Sequence, residues 1–153
     1  MTPFGCETIS RLTEEEMQIV LADETTALQN LISFTHINPR LPDQNNVLLT
    51  NLRSGDCFIV SESGRNRLED WNEVSTTIVM NAAFRLYTYL TELHPELDSE
   101  PIQKIKSQLE ILKDPMRNKK EMKLIKKVIK LDFYNDRFRQ GEVMKVKVRT
   151  SIR

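Results

Sequence analysis

The sequence contains little glycine, cysteine and histidine. Its 153 residues include four glycines, two cysteines, two histidines and one tryptophan. Cys6 and Cys57 lie 51 positions apart and form no disulfide framework, so we expect two reduced thiols packed as small hydrophobic side chains. No cysteine or histidine has a second ligand at the short spacing that zinc modules use. We therefore expect no metal ion and no other cofactor.

Long apolar runs are also missing. No apolar segment approaches the roughly 20 residues that a membrane-spanning helix needs. Residues 1–5 lack the basic start and the apolar stretch of a secretory signal. With 39% hydrophobic and 29% charged residues, the composition is typical of a folded globular chain rather than a disordered one. These features predict a single domain, 1–153, that is intracellular and has no membrane partner.

Signatures of common catalytic sites are absent from the sequence. It contains no nucleophile elbow of the Gly-x-Ser-x-Gly type, no Walker A loop and no Gly-x-Gly-x-x-Gly motif. The acidic residues cluster where helices are predicted to start, and no carboxylate pair lies in an apolar setting suited to acid–base catalysis. We therefore predict no catalytic residues and expect a protein that is not an enzyme.

What the sequence does contain is a separation of charge along the chain. Residues 1–118 hold 10 basic and 18 acidic side chains, whereas residues 119–153 hold 12 basic and 4 acidic ones. The acidic part and the basic part cancel in the net charge of zero. Such an asymmetry indicates an anionic partner, or contact between the basic part and an acidic region of another subunit.

Helical periodicity predicts most of the fold. A capping box over Thr13–Glu16 starts a helix at about 13–35, with a bend or break expected near 24–26. His36 follows this helix, where its imidazole is expected to bond the free carbonyls of the last turn. Caps and prolines delimit three further helices, over about 70–94, 99–114 and 118–136. The expected fold class is α+β, dominated by about four helices.

Two segments are predicted as strands. Two short apolar runs on either side of Gly55 predict a β-hairpin over about 47–60. Apolar and basic residues alternate over 144–149, a period of two that predicts a basic C-terminal strand. Gly141 is expected to end the helical region that precedes this strand. The polar stretch between the hairpin and the next helix is assigned no regular structure.

Part of the chain resembles a viral segment. The residues that carry the resemblance are His36-Ile37-Asn38-Pro39, Pro42, Asn45-Asn46-Val47, Asn51-Leu52-Arg53 and Trp71-Asn72-Glu73-Val74. They are similar to a segment near the C-terminus of many proteins of large nucleocytoplasmic DNA viruses (giant viruses). The match covers about residues 28–90. In those proteins the segment often follows a zinc finger and a coiled coil, and this sequence contains no such finger.

The resemblance has implications for the origin of the protein and for its role in interactions, and it suggests no catalytic reaction. It implies a viral protein located in the host cytoplasm or the virion, and an interaction domain of the kind often attached to oligomerising helices. It implies no catalytic residues. A nucleic-acid role that depends on the zinc finger is not carried over to this chain.

One helix face is a candidate for contact with a partner. The third predicted helix has an apolar stripe at spacing 3-4-3, which is typical of core packing and also of helix–helix interfaces. We predict that this stripe contacts a second copy of the chain or another viral protein. The residues of the stripe are Ile102, Ile105, Leu109 and Leu112.

The basic segment 117–153 is a second candidate. Its side chains are predicted to contact either nucleic-acid phosphates or an acidic protein surface, and a solvated helix face is the third alternative. The last two helices and the predicted strand would form an arrangement like a helix-turn-helix. The candidate contact residues are Arg117, Lys119, Lys120, Lys123, Lys126, Lys127, Lys130, Arg137, Arg139, Lys145, Lys147 and Arg149.

Two functions follow from these observations. The leading prediction is a non-enzymatic viral interaction or assembly module that acts through helix faces and complementary charge. The alternative is a nucleic-acid-binding protein that uses the basic segment.

Overall fold

The computed structural model of the chain describes residues 1–53 and 55–149. The helices are α1 (Glu14–Ala22), α2 (Ala27–His36), α3 (Trp71–Thr88), α4 (Glu100–Lys113), α5 (Lys119–Asn135) and α6 (Arg137–Met144). The strands are β1 (Val47–Leu48), β2 (Asp56–Val60) and β3 (Asn66–Asp70). A 3-10 turn at Pro42–Gln44 precedes β1, and a π-helical turn at Tyr89–Leu93 extends α3. The helix-dominated α+β class is confirmed, with six helices where about four were predicted.

The first predicted helix is divided into α1 and α2. The predicted capping box is present, because the Glu16 amide donates to Thr13 Oγ1 at 3.0 Å and the Thr13 amide donates to the Glu16 carboxylate at 2.8 Å. After Ala22, Asp23 Oδ1 accepts from both the amide and the hydroxyl of Thr25. Such local side-chain bonds compete with helical ones, which explains the break.

The sheet contains one strand that was not predicted. The hairpin of β1 and β2 is confirmed, with Val47 opposite Ile59. Strand β3 then pairs antiparallel with β2 along its whole length, from Asp70 opposite Asp56 to Asn66 opposite Val60. Four of the five β3 residues are exposed, so the strand has no apolar alternation for a sequence pattern to reveal.

The predicted C-terminal strand is wrong. The chain forms α6 up to Met144, and the described residues after it join no sheet. Gly141 lies inside α6, where a Cβ atom would approach Val148 Cγ2 to 2.6 Å because the chain folds back over the helix. Val146 and Val148 pack on a small apolar cluster beside β1 and β2. The alternation of apolar and basic residues therefore reflects packing on this cluster and not a strand ladder.

The main core lies between the helices and one face of the sheet. It includes the predicted partner-binding stripe of α4, whose residues Ile102, Ile105, Leu109 and Leu112 are all buried. The stripe packs where α4 contacts α1 and α3. Assigning it to a partner surface was wrong, because the same 3-4-3 spacing suits a core and an interface equally well.

Candidate interaction surfaces on the fifth helix

Helix α5 has one face in the core and the rest of its circumference at the surface. Ile129 and Phe133 are buried, and α5 contacts both α2 and α3. The Phe133 ring lies edge-on to the Trp71 ring, with a centroid distance of 5.7 Å. This packing determines which side of α5 faces outward. Val128 is 39% exposed.

An open groove of about 610 Å³ lies between α4 and α5, beside the turn that joins α1 and α2. Its apolar lining includes the buried Leu28 and the half-buried Ile111 and Ile125. Leu124 and Val128 line the α5 side and are 52% and 39% exposed. An apolar groove between two helices is a common docking site for a third helix.

The rim of this groove is acidic. Lys104 Nζ lies 3.7 Å from Glu24 Oε1 and 3.3 Å from Glu100 Oε1, and Glu121 adds a third carboxylate. The three carboxylates and the single ammonium group give the rim a formal charge of −2. Gln108 also lines the groove, and its Oε1 is shielded from solvent without a donor among the described residues. The groove thus offers apolar contact and negative charge.

The outer crest of α5 borders the groove. We define the crest as Lys120, Leu124, Lys127 and Leu131, which recur at spacing 4-3-4. That spacing places all four residues along one line of an α-helix. All four are exposed. Two apolar side chains therefore alternate with two ammonium groups on a ridge next to the acidic groove.

The side of α5 away from the groove carries a second line of lysines. We define this lysine face as Lys119, Lys123, Lys126 and Lys130, again at spacing 4-3-4. Three of them line a cleft of about 370 Å³ together with residues at the start of α3 and α5. Within 1–53 and 55–149, no member of the lysine face forms an ion pair. Lysines at these spacings repel each other, and no ion pair among the described residues offsets that repulsion.

Lys126 is the inner member of the lysine face. Its Nζ donates to the Asn72 carbonyl at 3.1 Å and to Thr76 Oγ1 at 2.9 Å, and both acceptors are neutral. Burial lowers the pKa of Lys126, although attraction from Asp70 acts in the opposite direction. The cleft therefore has a fixed positive charge in its wall.

The remaining predicted basic contacts are placed elsewhere or already have partners. Arg139 donates to the Asp136 carboxylate and, at 2.9 Å, to the Ile37 carbonyl. The Arg137 guanidinium stacks 3.9 Å above the Tyr134 ring. Of the predicted contact residues outside α5, the exposed ones are Arg117 in the turn before it and Lys145, Lys147 and Arg149 after α6. The twelve predicted residues therefore do not form one surface, and α5 alone aligns a group of them.

A buried polar cluster lies beneath the N-terminal segment. His36, predicted to bond free carbonyls, instead bonds Asn46 Oδ1 through Nδ1 at 2.9 Å. Because Asn46 Nδ2 donates to the Glu7 carboxylate and to the Thr2 carbonyl, Oδ1 is the acceptor and His36 carries its proton on Nδ1. Arg85 Nη2 lies 3.5 Å from the other Glu7 oxygen. The cluster fastens residues 1–7 to the core.

Sequence reasoning missed this cluster because its members are far apart in the chain. Asn46 lies 10 positions from His36 and 39 positions from Glu7. The only available signal was the group of polar residues around Asn45 and Asn46, which the structure buries completely. The polar residues that carry the viral resemblance therefore have a structural role here.

His36 should make the stability of the protein depend on pH. Burial lowers its pKa from the usual 6.5, whereas attraction from Glu7 and the Asn46 hydrogen bond raise it and Arg85 lowers it further. As the pH falls through 6.5, the unfolded chain binds a proton that the folded chain resists, so folding stability is lost on the acid side. We expect the melting midpoint to decrease as the pH is lowered from about 7 to about 5.

The two histidines allow a matched comparison of this effect. His36→Gln should flatten the pH dependence of the melting midpoint in this range. His94→Gln changes the other histidine, whose side chain is 43% exposed, and should leave the dependence as it is in the unaltered protein. An unaltered pH dependence in His36→Gln would contradict the assignment to His36.

The cysteines differ in their surroundings. Cys57 is buried, and burial together with the charge of Asp56 raises its pKa to about 12. Cys6 is exposed, so the expectation of two packed thiols holds for Cys57 alone.

In the described part of the chain, no group of three or more histidine, cysteine or acidic side chains is arranged to hold a metal ion. Over the same residues, no helix has the length and apolar character needed to cross a membrane.

Comparison with family models, with curated proteins and with solved structures gives no match for this chain. The resemblance to giant-virus proteins therefore stays a prediction.

Proposed function

We propose that this protein is a non-catalytic assembly module that pairs with a second copy of itself through the groove between α4 and α5. The observation that carries the proposal is that crest and groove lie side by side and are complementary. The crest of one copy presents apolar side chains that match the groove of the other. Two copies related by a twofold axis satisfy both contacts at once, which gives a closed dimer.

Apolar contact supports the pairing. Leu124 and Leu131 are about half exposed, and Val128 beside them is 39% exposed. Burying a leucine or valine side chain fully contributes about 1.5–3 kcal/mol. Because these side chains are only partly buried in one copy, their further burial would stabilise the dimer. Because the contact is symmetric, each such residue counts twice in the dimer.

Charge complementarity selects a second copy as the occupant. The crest carries Lys120 and Lys127 between its leucines, and the groove rim carries Glu24, Glu100 and Glu121 around a single lysine. A crest placed in the groove of another copy brings its ammonium groups to that rim. Complementary charge of this kind sets partner choice and orientation more than raw affinity.

A double substitution in the groove tests the proposal. Leu124→Glu with Val128→Glu should weaken self-association by about 100-fold or more, because two carboxylates per copy would enter an apolar and acidic contact. Both positions are exposed, so the fold should be retained. Sedimentation velocity over a concentration series at low salt, with circular dichroism as a check on folding, measures the effect.

The control carries the same chemical change elsewhere. Ile19→Glu with Phe84→Glu also replaces two exposed apolar residues, at positions that do not line the groove. This control should dimerise like the unaltered protein. A strict monomer at high concentration and low salt, or equal weakening in both double variants, would remove the proposal.

Charge reversal provides a further arm of the same test. Lys127→Glu and Glu100→Lys should each weaken the dimer, and the two together should restore part of the affinity. Exposed ion pairs contribute little individually, so recovery of a few-fold is the expected scale. Additive weakening without recovery would show that crest and rim do not meet.

The biological setting stays a prediction. A viral origin, a location in the host cytoplasm or the virion, and another viral protein as partner all depend on the resemblance of residues 28–90. A self-pairing module agrees with the oligomerising context that the resemblance implies. Detection of the chain in purified particles or in infected cytoplasm would distinguish the two locations.

A further inference from the structure

We infer that the lysine face of α5 binds the phosphate backbone of nucleic acid, with the cleft beside Asn72 holding one phosphate group. This inference is independent of the proposed dimer, because the cleft and the groove lie on different sides of α5. The groove is lined from α5 by Glu121, Leu124, Ile125 and Val128, and the cleft is lined from α5 by Lys119, Met122, Lys123 and Lys126.

Unpaired positive charge is the first argument. Lys104 and Lys113 on α4 lie within ion-pair distance of acidic residues, whereas Lys106 on α4 and Lys120 and Lys127 on the crest form no ion pair among the described residues. The four members of the lysine face have no such partner in the chain as described. Lys126 Nζ is also held by neutral oxygens of Asn72 and Thr76 and is attracted by Asp70 without forming an ion pair, so its charge is fixed in place. An external anion supplies the missing counter-charge.

Spacing favours a polymer of phosphates over a single anion. Lys119 and Lys130 are separated by about 16 Å along the helix, with successive lysines rising by about 4–6 Å. Nucleic-acid duplexes carry one phosphate per about 3.4 Å on each strand, so a backbone following α5 presents several phosphates over this distance. A ligand with one phosphate would use the cleft alone and leave Lys130 without a contact.

The chemistry of the side chains predicts weak sequence preference. The lysine face contains no arginine, and the nearby Arg137 and Arg139 are occupied by an aromatic ring and by Asp136. Lysine contacts phosphate as a point charge, whereas bidentate reading of guanine depends mainly on arginine. We therefore expect backbone binding that tolerates changes of base sequence.

The test is a salt series on binding to nucleic acid. Fluorescence anisotropy with a labelled duplex DNA and a single-stranded RNA of equal length measures affinity from about 50 mM salt upward. Lys119→Gln, Lys123→Gln and Lys130→Gln together should weaken binding at least about tenfold and lower the log–log salt slope by about 2–3 units. Lys126 is left intact because it bonds Asn72 and Thr76 within the fold.

A control removes the same charge from other positions. Lys106→Gln, Lys147→Gln and Arg149→Gln together should leave affinity and salt slope nearly unchanged. Sedimentation of the lysine-face variant should still show the association state of the unaltered protein. The Leu124→Glu and Val128→Glu variant should keep the salt slope for nucleic acid whether or not the native chain dimerises, so the two proposals fail separately.

Three outcomes would overturn the inference. One is the absence of binding by the unaltered protein at low salt, and another is equal weakening in the control triple variant. The third is displacement of the nucleic acid by polyglutamate at an equal concentration of charge, which would assign the face to an acidic protein. Retained affinity against polyglutamate, with loss confined to the lysine-face variant, supports the phosphate backbone as the ligand.

Discussion

Replacing Phe133 by alanine should lower the free energy of unfolding by about 3–5 kcal/mol, the usual range for removing a buried aromatic side chain. Phe133 is 1% exposed and lies where α5 meets α2 and α3. Its ring centroid is 5.7 Å from that of Trp71 and 5.9 Å from that of His36. The cavity left by the ring would face Trp71 and His36 together, and two packed helices limit how far it can collapse. Urea unfolding followed by circular dichroism measures the change.

Phe138 provides the matched control. It is 44% exposed at the start of α6, where its ring carries the Arg137 guanidinium 4.4 Å above it. Phe138→Ala should cost about 1 kcal/mol or less, since little apolar surface is lost from the core. If Phe133→Ala cost no more than Phe138→Ala, the inner face of α5 would be wrongly assigned.

Replacing Asn46 by alanine should have the second largest effect, a loss of about 3 kcal/mol in the free energy of unfolding. The Asn46 side chain donates to the Glu7 carboxylate and to the Thr2 carbonyl, and it accepts from His36. The substitution leaves a buried carboxylate short of a donor and a buried imidazole N–H without an acceptor. Denaturant unfolding measures the loss, and limited proteolysis tests release of the N-terminal segment.

An exposed asparagine gives the comparison for this prediction. Asn51 Oδ1 accepts one hydrogen bond from the Arg53 amide at 2.8 Å in a solvent-exposed turn. Asn51→Ala should cost under about 1 kcal/mol, because water replaces the lost partner. Equal losses at the two positions, or an N-terminal segment that resists protease in Asn46→Ala, would contradict the role assigned to the cluster.

Separation of roles around α5 makes the functional tests interpretable. Ile129 and Phe133 hold the helix in the core, whereas the crest and the lysine face point away from it. Substitutions at Leu124 or Lys123 therefore change a surface without opening a cavity. A loss of dimerisation or of nucleic-acid binding in these variants, at unchanged melting midpoint, reports on the surface alone.

Local patterns identified several elements correctly. The capping box of Thr13 and Glu16 is present, and the side chain of Asp70 accepts from the Glu73 amide at the start of α3. Trp71, the first residue of α3, is buried. These predictions hold because caps and helical stripes depend on residues within about four positions of each other, which the sequence lists side by side.

The candidate surfaces were only partly predictable. The lysines of α5 were identified as contact candidates, but their division between the crest and the lysine face follows from the orientation that core packing gives the helix. The groove was not predicted at all, because Leu28, Ile111 and Val128 belong to three helices. No spacing rule links residues that meet only after α2, α4 and α5 have packed.

The sequence by itself determined the local structure and the charge of each helix. It specified where α1, α3 and α5 start, which side of each helix is apolar, and that α5 is basic. Tertiary structure alone decided which apolar stripe is core and which is surface. The α4 stripe recurs at spacing 3-4-3 and the exposed α5 crest at spacing 4-3-4, which are both helical spacings, and only contact with α1 and α3 buries the former. Tertiary structure also made a strand of the exposed residues of β3 and joined His36, Asn46 and Glu7 into one cluster. The physical reason is that burial and long-range hydrogen bonds depend on neighbours in space, which periodicity along a chain does not specify.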